Sequence, residues 1–270
     1  MINKKTKICI SIAECPGNFG ATFHNMGYNA LSLDYIYIPR KIKAEQLEDA
    51  INAVRVLGIV GCSVSMPHKV NVIKFLDSLD FSAERIGAVN TIVHQADGSL
   101  KGYNTDFYGA KRLIQEKFDI KDRRVFLIGA GGVANAISFA VNDLGGDLTI
   151  INRTYEKAKE LADKVGARVI PWEELHSAKG DMLINATPVG MNDPESMIVS
   201  SDIIEKFEIV QDVVTSPART KLIEKAHRIG KAIIPGAHMC VYQAAEQFLL
   251  YTGCEVPKNV VSEVLKEMDS

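Results

Sequence analysis

Along this chain, short apolar runs alternate with longer stretches whose apolar positions recur every three or four residues. The first pattern predicts buried strands and the second predicts helices packed on them. In the first part the runs Lys7 to Ile12, Asp34 to Ile38, Ile59 to Ser65 and Thr91 to Gln95 read as strands. The clearest helix runs from Ala44 to Leu57, where Leu47, Ala50, Ile51, Val54 and Leu57 share one face and Gly58 supplies a stop. Ala96-Asp-Gly-Ser99 joins two short runs as a hairpin turn. A helix from Asp106 to Phe118 carries the chain into a second region, with strands at Arg124 to Ile128, Asp147 to Ile151, Arg168 to Ile170, Met182 to Asn185, Ile209 to Asp212 and Lys231 to Ile234. From Gly236 the pattern is helical again, and Val260, Val261, Val264, Leu265 and Met268 form a last stripe expected to pack on the first region. Strands alternating with helices predict an α/β architecture of parallel sheets wrapped by helices.

One junction in this pattern carries chemistry. In Arg124-Val-Phe-Leu-Ile-Gly129-Ala130-Gly131-Gly132-Val133-Ala134 a buried strand breaks on glycine and opens directly into an apolar helix. Gly129 permits the tight turn, Gly131 lets the backbone approach an anion, and Ala134 allows close helix–strand packing. The free N–H groups of the new helix then face a pyrophosphate. The next strand ends in Asn152-Arg153-Thr154. A carboxylate at this place would accept the ribose 2′-OH of NAD; an arginine suits the 2′-phosphate of NADP. Arg153 offers a planar donor fork, with Asn152 and Thr154 as neutral donors beside it. Thr154 is also a helix N-cap, a role compatible with phosphate binding.

Composition narrows the classes. With 270 residues, 47% hydrophobic and 24% charged, the chain buries a full core and is long enough for two domains. A formal net charge of -2 and the lack of a Lys/Arg block argue against nucleic-acid binding. The apolar run after the basic start is too short for a signal segment, and no stretch is long enough to span a membrane. Five scattered cysteines without a C-x-x-C pair argue against a disulfide framework and predict a reduced, cytoplasmic setting. The six histidines show no metal-ligand spacing, so no metal is expected.

Three polar segments end strands of the first region: Ser63-Val-Ser65-Met-Pro67-His68-Lys69, Gly87-Ala-Val-Asn90-Thr91 and Gly102-Tyr-Asn104-Thr-Asp106. Open α/β sheets gather ligand groups at the carboxyl ends of strands, so these segments are placed to converge on a small molecule. Together with Asn185-Ala-Thr-Pro-Val-Gly-Met191 and Gly236-Ala-His-Met-Cys-Val-Tyr-Gln243, they make nearly the whole chain resemble the shikimate dehydrogenase family. The resemblance implies a substrate domain built from residues 1–105 and 237–270, a Rossmann NADP-binding domain at 106–236, and a catalytic cleft between them. It implies interconversion of 3-dehydroshikimate and shikimate, and hence a place in chorismate and aromatic amino acid biosynthesis, in a monomer or homodimer.

Carried over by residue, the resemblance makes Lys69 the proton donor and acceptor and Asp106 its orienting partner. Hydride reduction of a ketone creates an alkoxide, and a lysine ammonium held beside a carboxylate is a suitable proton source. The same carry-over assigns Ser65, Asn90 and Gln243 to substrate hydroxyls. It assigns Gly129, Ala130, Gly131, Gly132, Val133, Asn152, Arg153, Thr154, Lys157, Thr187, Val213 and Gly236 to the cofactor, with Met191 and Met239 at its nicotinamide end; for Val213 and the two methionines, packing in the core is the alternative. Read without the resemblance, Lys69 is a surface lysine after a proline turn and Asp106 a helix N-cap.

Two departures from the family pattern matter. Asn18 and Gly20 stand where the family has two serines that hold the substrate carboxylate, and Thr215 stands in place of a tyrosine. Each donor lost to a buried carboxylate costs about 1 to 3 kcal/mol, on the order of ten- to a hundredfold in affinity. The loop is similar to that of a divergent, shikimate dehydrogenase-like branch. Quinate or another polyhydroxylated cyclic acid is therefore an alternative substrate, and a non-catalytic NADP-binding protein is the alternative from another class. His68 and Cys240 read as structural residues, and Trp172 as a residue packed at a domain surface.

Overall fold

The computed structural model describes residues 2–269. They pack as two compact units: residues up to 108 with 243–264, and 109–242 with 265 onward. The first unit holds β1 (Lys7–Ala13), α1 (Phe19–Ala30), β2 (Tyr35–Lys41), α2 (Leu47–Val56), β3 (Gly61–Val64), β4 (Ser78–Leu79), α3 (Phe81–Ile86), β5 (Thr91–His94), β6 (Leu100–Tyr103) and the start of α4 (Thr105–Lys117). Its sheet has the order β2-β1-β3-β5-β6-β4. This sheet is mixed rather than wholly parallel: β1 lies parallel to β2 and β3, but β5 runs antiparallel to both β3 and β6. For β5 and β6 the reason is local, because the Ala96–Ser99 turn closes a hairpin and a hairpin reverses the chain. Ile12, Ile51, Val54, Cys62, Val64, Ile92 and Leu100 form the core beneath it.

The second unit holds β7 (Arg124–Ile128), α5 (Gly132–Asp143), β8 (Asp147–Ile151), α6 (Tyr155–Val165), β9 (Arg168–Val169), β10 (Met182–Asn185), α7 (Ser201–Ile204), β11 (Ile209–Asp212), α8 (Lys221–Arg228) and β12 (Ala232–Ile234). Two further helices, α9 (Gly236–Thr252) and α10 (Lys258–Asp269), complete the chain. All pairings in this sheet are parallel, in the order β12-β11-β10-β7-β8-β9. Numbered within the unit, that is 6-5-4-1-2-3, the doubly wound order whose strand direction of travel reverses between β7 and β10. β7 and β8 read as apolar runs because a sheet covered on both faces buries both sets of side chains.

Several bounds differ from the sequence reading. β2 starts after Asp34 and continues through Pro39, Arg40 and Lys41, which pair with Ser11, Ile12 and Ala13. An edge strand tolerates proline and charge on its open side, so the polar residues do not end it. The single helix expected over Ala44 to Leu57 is a 3-10 turn at Ala44–Gln46 followed by α2; Leu57, at its end, is 68% exposed. Gly58, at φ 61°, turns the chain away. β4 and α3 are too short to announce themselves by periodicity. No helix among the described residues is long and apolar enough to cross a membrane.

Candidate functional site

Lys69 and Asp106 are 37 positions apart, yet Lys69 Nζ lies 2.7 Å from Asp106 Oδ2. Both side chains are mostly covered, at 28% and 14% exposure. Strand pairing creates the approach. β3 and β5 are neighbours, Val89 N–H donates to the Lys69 carbonyl at 2.8 Å, and β6 beside β5 leads straight into α4. Asp106 is free for this partner because it does not cap α4. Asn104 does so, its Oδ1 accepting the Phe107 N–H at 3.2 Å.

A chain of hydrogen bonds runs beside the pair. Asn90 Oδ1 accepts from Thr105 N at 2.7 Å and from Thr91 Oγ1 at 2.9 Å; Thr105 Oγ1 lies 3.3 Å from Gln243 Oε1. Thus Asn90 and Gln243, two predicted substrate contacts, share Thr105 as a neighbour next to Asp106. Ser65 is exposed four residues before Lys69, its N–H held by the Ile12 carbonyl. Asn18, at the N-cap of α1, makes no side-chain capping bond and is exposed. A Cβ on Gly20 would lie 3.0 Å from the Tyr37 hydroxyl, so any side chain there presses on a ring that is 3% exposed and stacked on His24 at 4.5 Å.

His24 was not among the sequence candidates. It is fully buried, and burial pulls its pKa down to about 3. The folded protein therefore resists protonation that the unfolded chain accepts below about pH 6.5. Stability is complete above that pH and falls as pH drops toward 3. Between pH 7 and 5 this residue accounts for about 2 kcal/mol of the loss, at 1.36 kcal/mol per pH unit below 6.5. In His24→Phe, denaturant midpoints measured from pH 7 to 5 should fall less steeply than in the wild type; parallel slopes would count against His24 as the source.

In the second unit, Gly129, Ala130, Gly131, Asn152, Arg153 and Thr187 line one cavity of about 180 Å³ with Trp172, Ala186, Pro188, Val189 and Ile198. It sits outside the carboxyl ends of β7, β8 and β10, at the reversal of strand order. Gly129 has φ 119°, and a Cβ there would lie 2.7 Å from the Ala186 carbonyl oxygen. Around Gly131 and Gly132 the space for a Cβ is open, and Gly131, the N-cap of α5, supplies no side-chain cap, so the first N–H groups of the helix are left for a ligand. Arg153 and Lys157 are exposed and make no ion pair among the described residues. Asn152 Nδ2 bonds the Thr154 carbonyl, and Thr154 is the N-cap of α6 without a side-chain bond. Gly132, Val133, Thr154 and Lys157 follow the turns but do not line the cavity.

The loops after β10 and β11 are tied together. Asp212 accepts from Asn185 Nδ2, Val214 N and Thr220 Oγ1, and Asn185 Oδ1 accepts from Thr187 N and Oγ1. Burial pushes the Asp212 carboxyl above its usual range, opposed by those hydrogen bonds. Val213 N–H bonds the Asn185 carbonyl, and Gly236 lies against Val214 so closely that a Cβ would fall 2.1 Å from its oxygen. Thr215 is exposed just beyond, before the cis bond Ser216–Pro217. Met239 is buried while Met191 is 46% exposed. His68 is buried with Nε2 2.8 Å from the Ile42 carbonyl, a structural histidine. Trp172 is a partly buried wall of the cavity and not merely a surface residue.

The model of the shikimate dehydrogenase substrate binding domain matches residues 19–92, and that of shikimate / quinate 5-dehydrogenase matches 112–209. A shikimate dehydrogenase (NADP(+)) of Methanothermobacter thermautotrophicus is 36% identical over 99% of each chain. The chain belongs to the shikimate dehydrogenase family. Among solved structures, a shikimate 5-dehydrogenase-like protein superposes with a TM-score of 0.92 at 36% identity over 100% of both chains. A shikimate dehydrogenase in complex with NADP+ does so at 0.90 and 34%, covering 100% of this family member and 98% of the other.

Of the other residues around the pair, Asn104 and Thr105 lie within the polar segment that ends in Asp106, and Gln247 stands one helical turn beyond Gln243 and so on the same face of α9, whereas His24 and Tyr37 carry no local signal.

Proposed function

We propose that this family member is an NADP-dependent oxidoreductase that interconverts 3-dehydroshikimate and shikimate, with Lys69 as general acid and base and Asp106 as its orienting partner. The observation that carries the reading is the 2.7 Å Lys69–Asp106 ion pair, largely shielded and flanked by Asn90, Thr105 and Gln243. NADP, when bound, supplies hydride to the substrate's carbonyl carbon and takes it back from the carbinol carbon. Lys69 protonates the carbonyl oxygen as reduction proceeds and, once neutral, accepts the hydroxyl proton in the reverse direction. Asp106 holds the ammonium in place and accepts a hydrogen bond from the same substrate hydroxyl. Asn90, Gln243 and Ser65 hold the remaining ring oxygens.

The fit of the second unit to NADP rests on three features: the glycine turn whose Cβ space is filled by Ala186 or left open, the uncapped start of α5, and the unpaired Arg153. Gly129 to Val133 would hold the pyrophosphate; Arg153, Asn152, Thr154 and Lys157 the 2′-phosphate end; Thr187, Val213 and Gly236 the nicotinamide end. A hydrogen bond to a charged group contributes about 1.5 to 3 kcal/mol, so Arg153→Ala should weaken NADP binding about ten- to a hundredfold while leaving NAD binding nearly unchanged. Fluorescence titration with both cofactors measures this, and equal losses for the two would remove Arg153 from the 2′-phosphate.

The acid end favours a broadened substrate class. Asn18 presents an uncommitted carboxamide where the family has serine, and Gly20 presents no side chain. A spectrophotometric panel with NADP+ and shikimate, quinate and other polyhydroxylated cyclic acids tests the reading. Turnover of shikimate is expected. Turnover of quinate alone would move the assignment to that substrate, and reduction of NADP+ by none of them would leave a cofactor-binding protein. The reading sets the enzyme in the reducing cytoplasm, as a monomer or homodimer, in the shikimate pathway.

A further inference from the structure

Gln247, 2% exposed on α9, is the most connected side chain near the acid/base pair. Its Nε2 lies 2.9 Å from Thr91 Oγ1, 3.1 Å from Ser63 Oγ and 3.3 Å from the Asn90 carbonyl oxygen. Its Oε1 lies 3.4 Å from His24 Nε2. The orientation of this amide is set by its surroundings. The Asn90 carbonyl can only accept, so the NH2 end faces it and Oε1 faces His24, a neutral imidazole that donates from Nε2.

That orientation propagates. Thr91 Oγ1 accepts from Gln247 and therefore spends its own proton on Asn90 Oδ1. With the Thr105 N–H on the same oxygen, the Asn90 carboxamide oxygen is turned inward. Asn90 Nδ2 makes no hydrogen bond among the described residues. We propose that Gln247 is a substrate-positioning residue: oriented by His24, it holds Thr91, Ser63 and the Asn90 backbone so that Asn90 presents amide protons alone to a ring oxygen of the substrate. The role of Asn90 rests on the function proposed above; the role of Gln247 in setting it is additional.

Gln247→Glu tests the polarity directly. A protonated glutamic acid donates to Thr91 as the amide does, whereas its carboxylate draws the Thr91 proton away from Asn90. Burial raises the new group's pKa, so the change falls within the workable range. The titratable groups packed around the His24–Gln247 pair do not obscure it. In the wild type His24 on α1 is neutral, and burial holds Tyr37 on β2, Cys9 on β1, Cys62 on β3 and Tyr251 on α9 protonated; in the variant the new carboxyl faces His24, so the two titrate as one coupled pair, and the proton that this pair loses is the one the experiment reads. Lys69 and Asp106 are present in wild type and variant alike, so the variant-to-wild-type ratio cancels what they contribute.

The expected result is a KM for the acid substrate near the wild-type value at low pH, rising about tenfold relative to wild type as pH increases, with the kcat ratio flat. A KM ratio that does not change with pH overturns the proposal. Gln247→Met, which cannot titrate, should raise KM about tenfold at every pH while NADP affinity, read by fluorescence, is unchanged. Should the glutamate variant fail to fold, the methionine variant decides alone, an unchanged KM counting against the proposal. A wild type inactive on every acid of the panel would instead overturn the proposed function, and a direct comparison of wild-type and Gln247→Met binding of shikimate by calorimetry would still report on Gln247.

Discussion

Lys69→Ala is expected to lower kcat about a thousandfold, the range that a positioned general acid–base contributes, while NADP affinity stays at the wild-type level. Among the described residues Lys69 Nζ bonds only Asp106, and at 28% exposure the pair adds about 1 kcal/mol or less to stability, so the variant should fold. The two proposed roles lie in separate units: the lysine belongs with the mixed sheet, and the glycine turn with the parallel one. Steady-state kinetics in both directions, paired with an NADP titration, separates chemistry from cofactor binding. Activity within a few-fold of wild type would mean that water or another side chain moves the proton, and the assignment of Lys69 would be withdrawn.

Gly129→Val should have the largest effect on the cofactor unit. At φ 119° a side chain is strained whatever the space, and here its Cβ would also lie 2.7 Å from a backbone oxygen of the loop after β10. The combined cost is on the order of 3 kcal/mol, which for a chain of this size lowers the thermal midpoint by about 6 to 12 °C. Relief requires the β7–α5 turn or the Ala186 loop to move, and either displaces the N–H groups proposed to hold the pyrophosphate. NADP affinity should fall about a hundredfold, equivalent to losing one or two charge-assisted hydrogen bonds. Calorimetric melting and NADP titration of the same preparation measure both effects. A variant that melts lower but binds NADP normally would detach the turn from the cofactor.

The cofactor half was legible because its signals are local. β7, β8, β10 and β11 have the bounds that their apolar runs predict, and the glycine turn with Arg153 one strand later is a contiguous pattern whose physics is complete within about thirty residues. The polar segments around Lys69, Asn90 and Asp106 were equally visible as candidates, since each interrupts an apolar run at a strand end. Asn104 was missed because an N-cap and a first-turn carboxylate two positions later look alike in sequence; only the bond from Phe107 N–H to Asn104 distinguishes them.

By itself, then, the sequence determined the alternation of strands and helices, the glycine turn, the arginine beside it and the residue types available for proton transfer, because periodicity and turn chemistry act over a few neighbouring positions. Tertiary structure decided what depends on strand order. It set β3 beside β5, brought Lys69 within 2.7 Å of Asp106, and buried His24 against Gln247 from opposite ends of the chain and Gln247 in turn against Asn90. Pairing between distant strands and the direction of a buried amide follow from which segments pack together, and no local pattern encodes that.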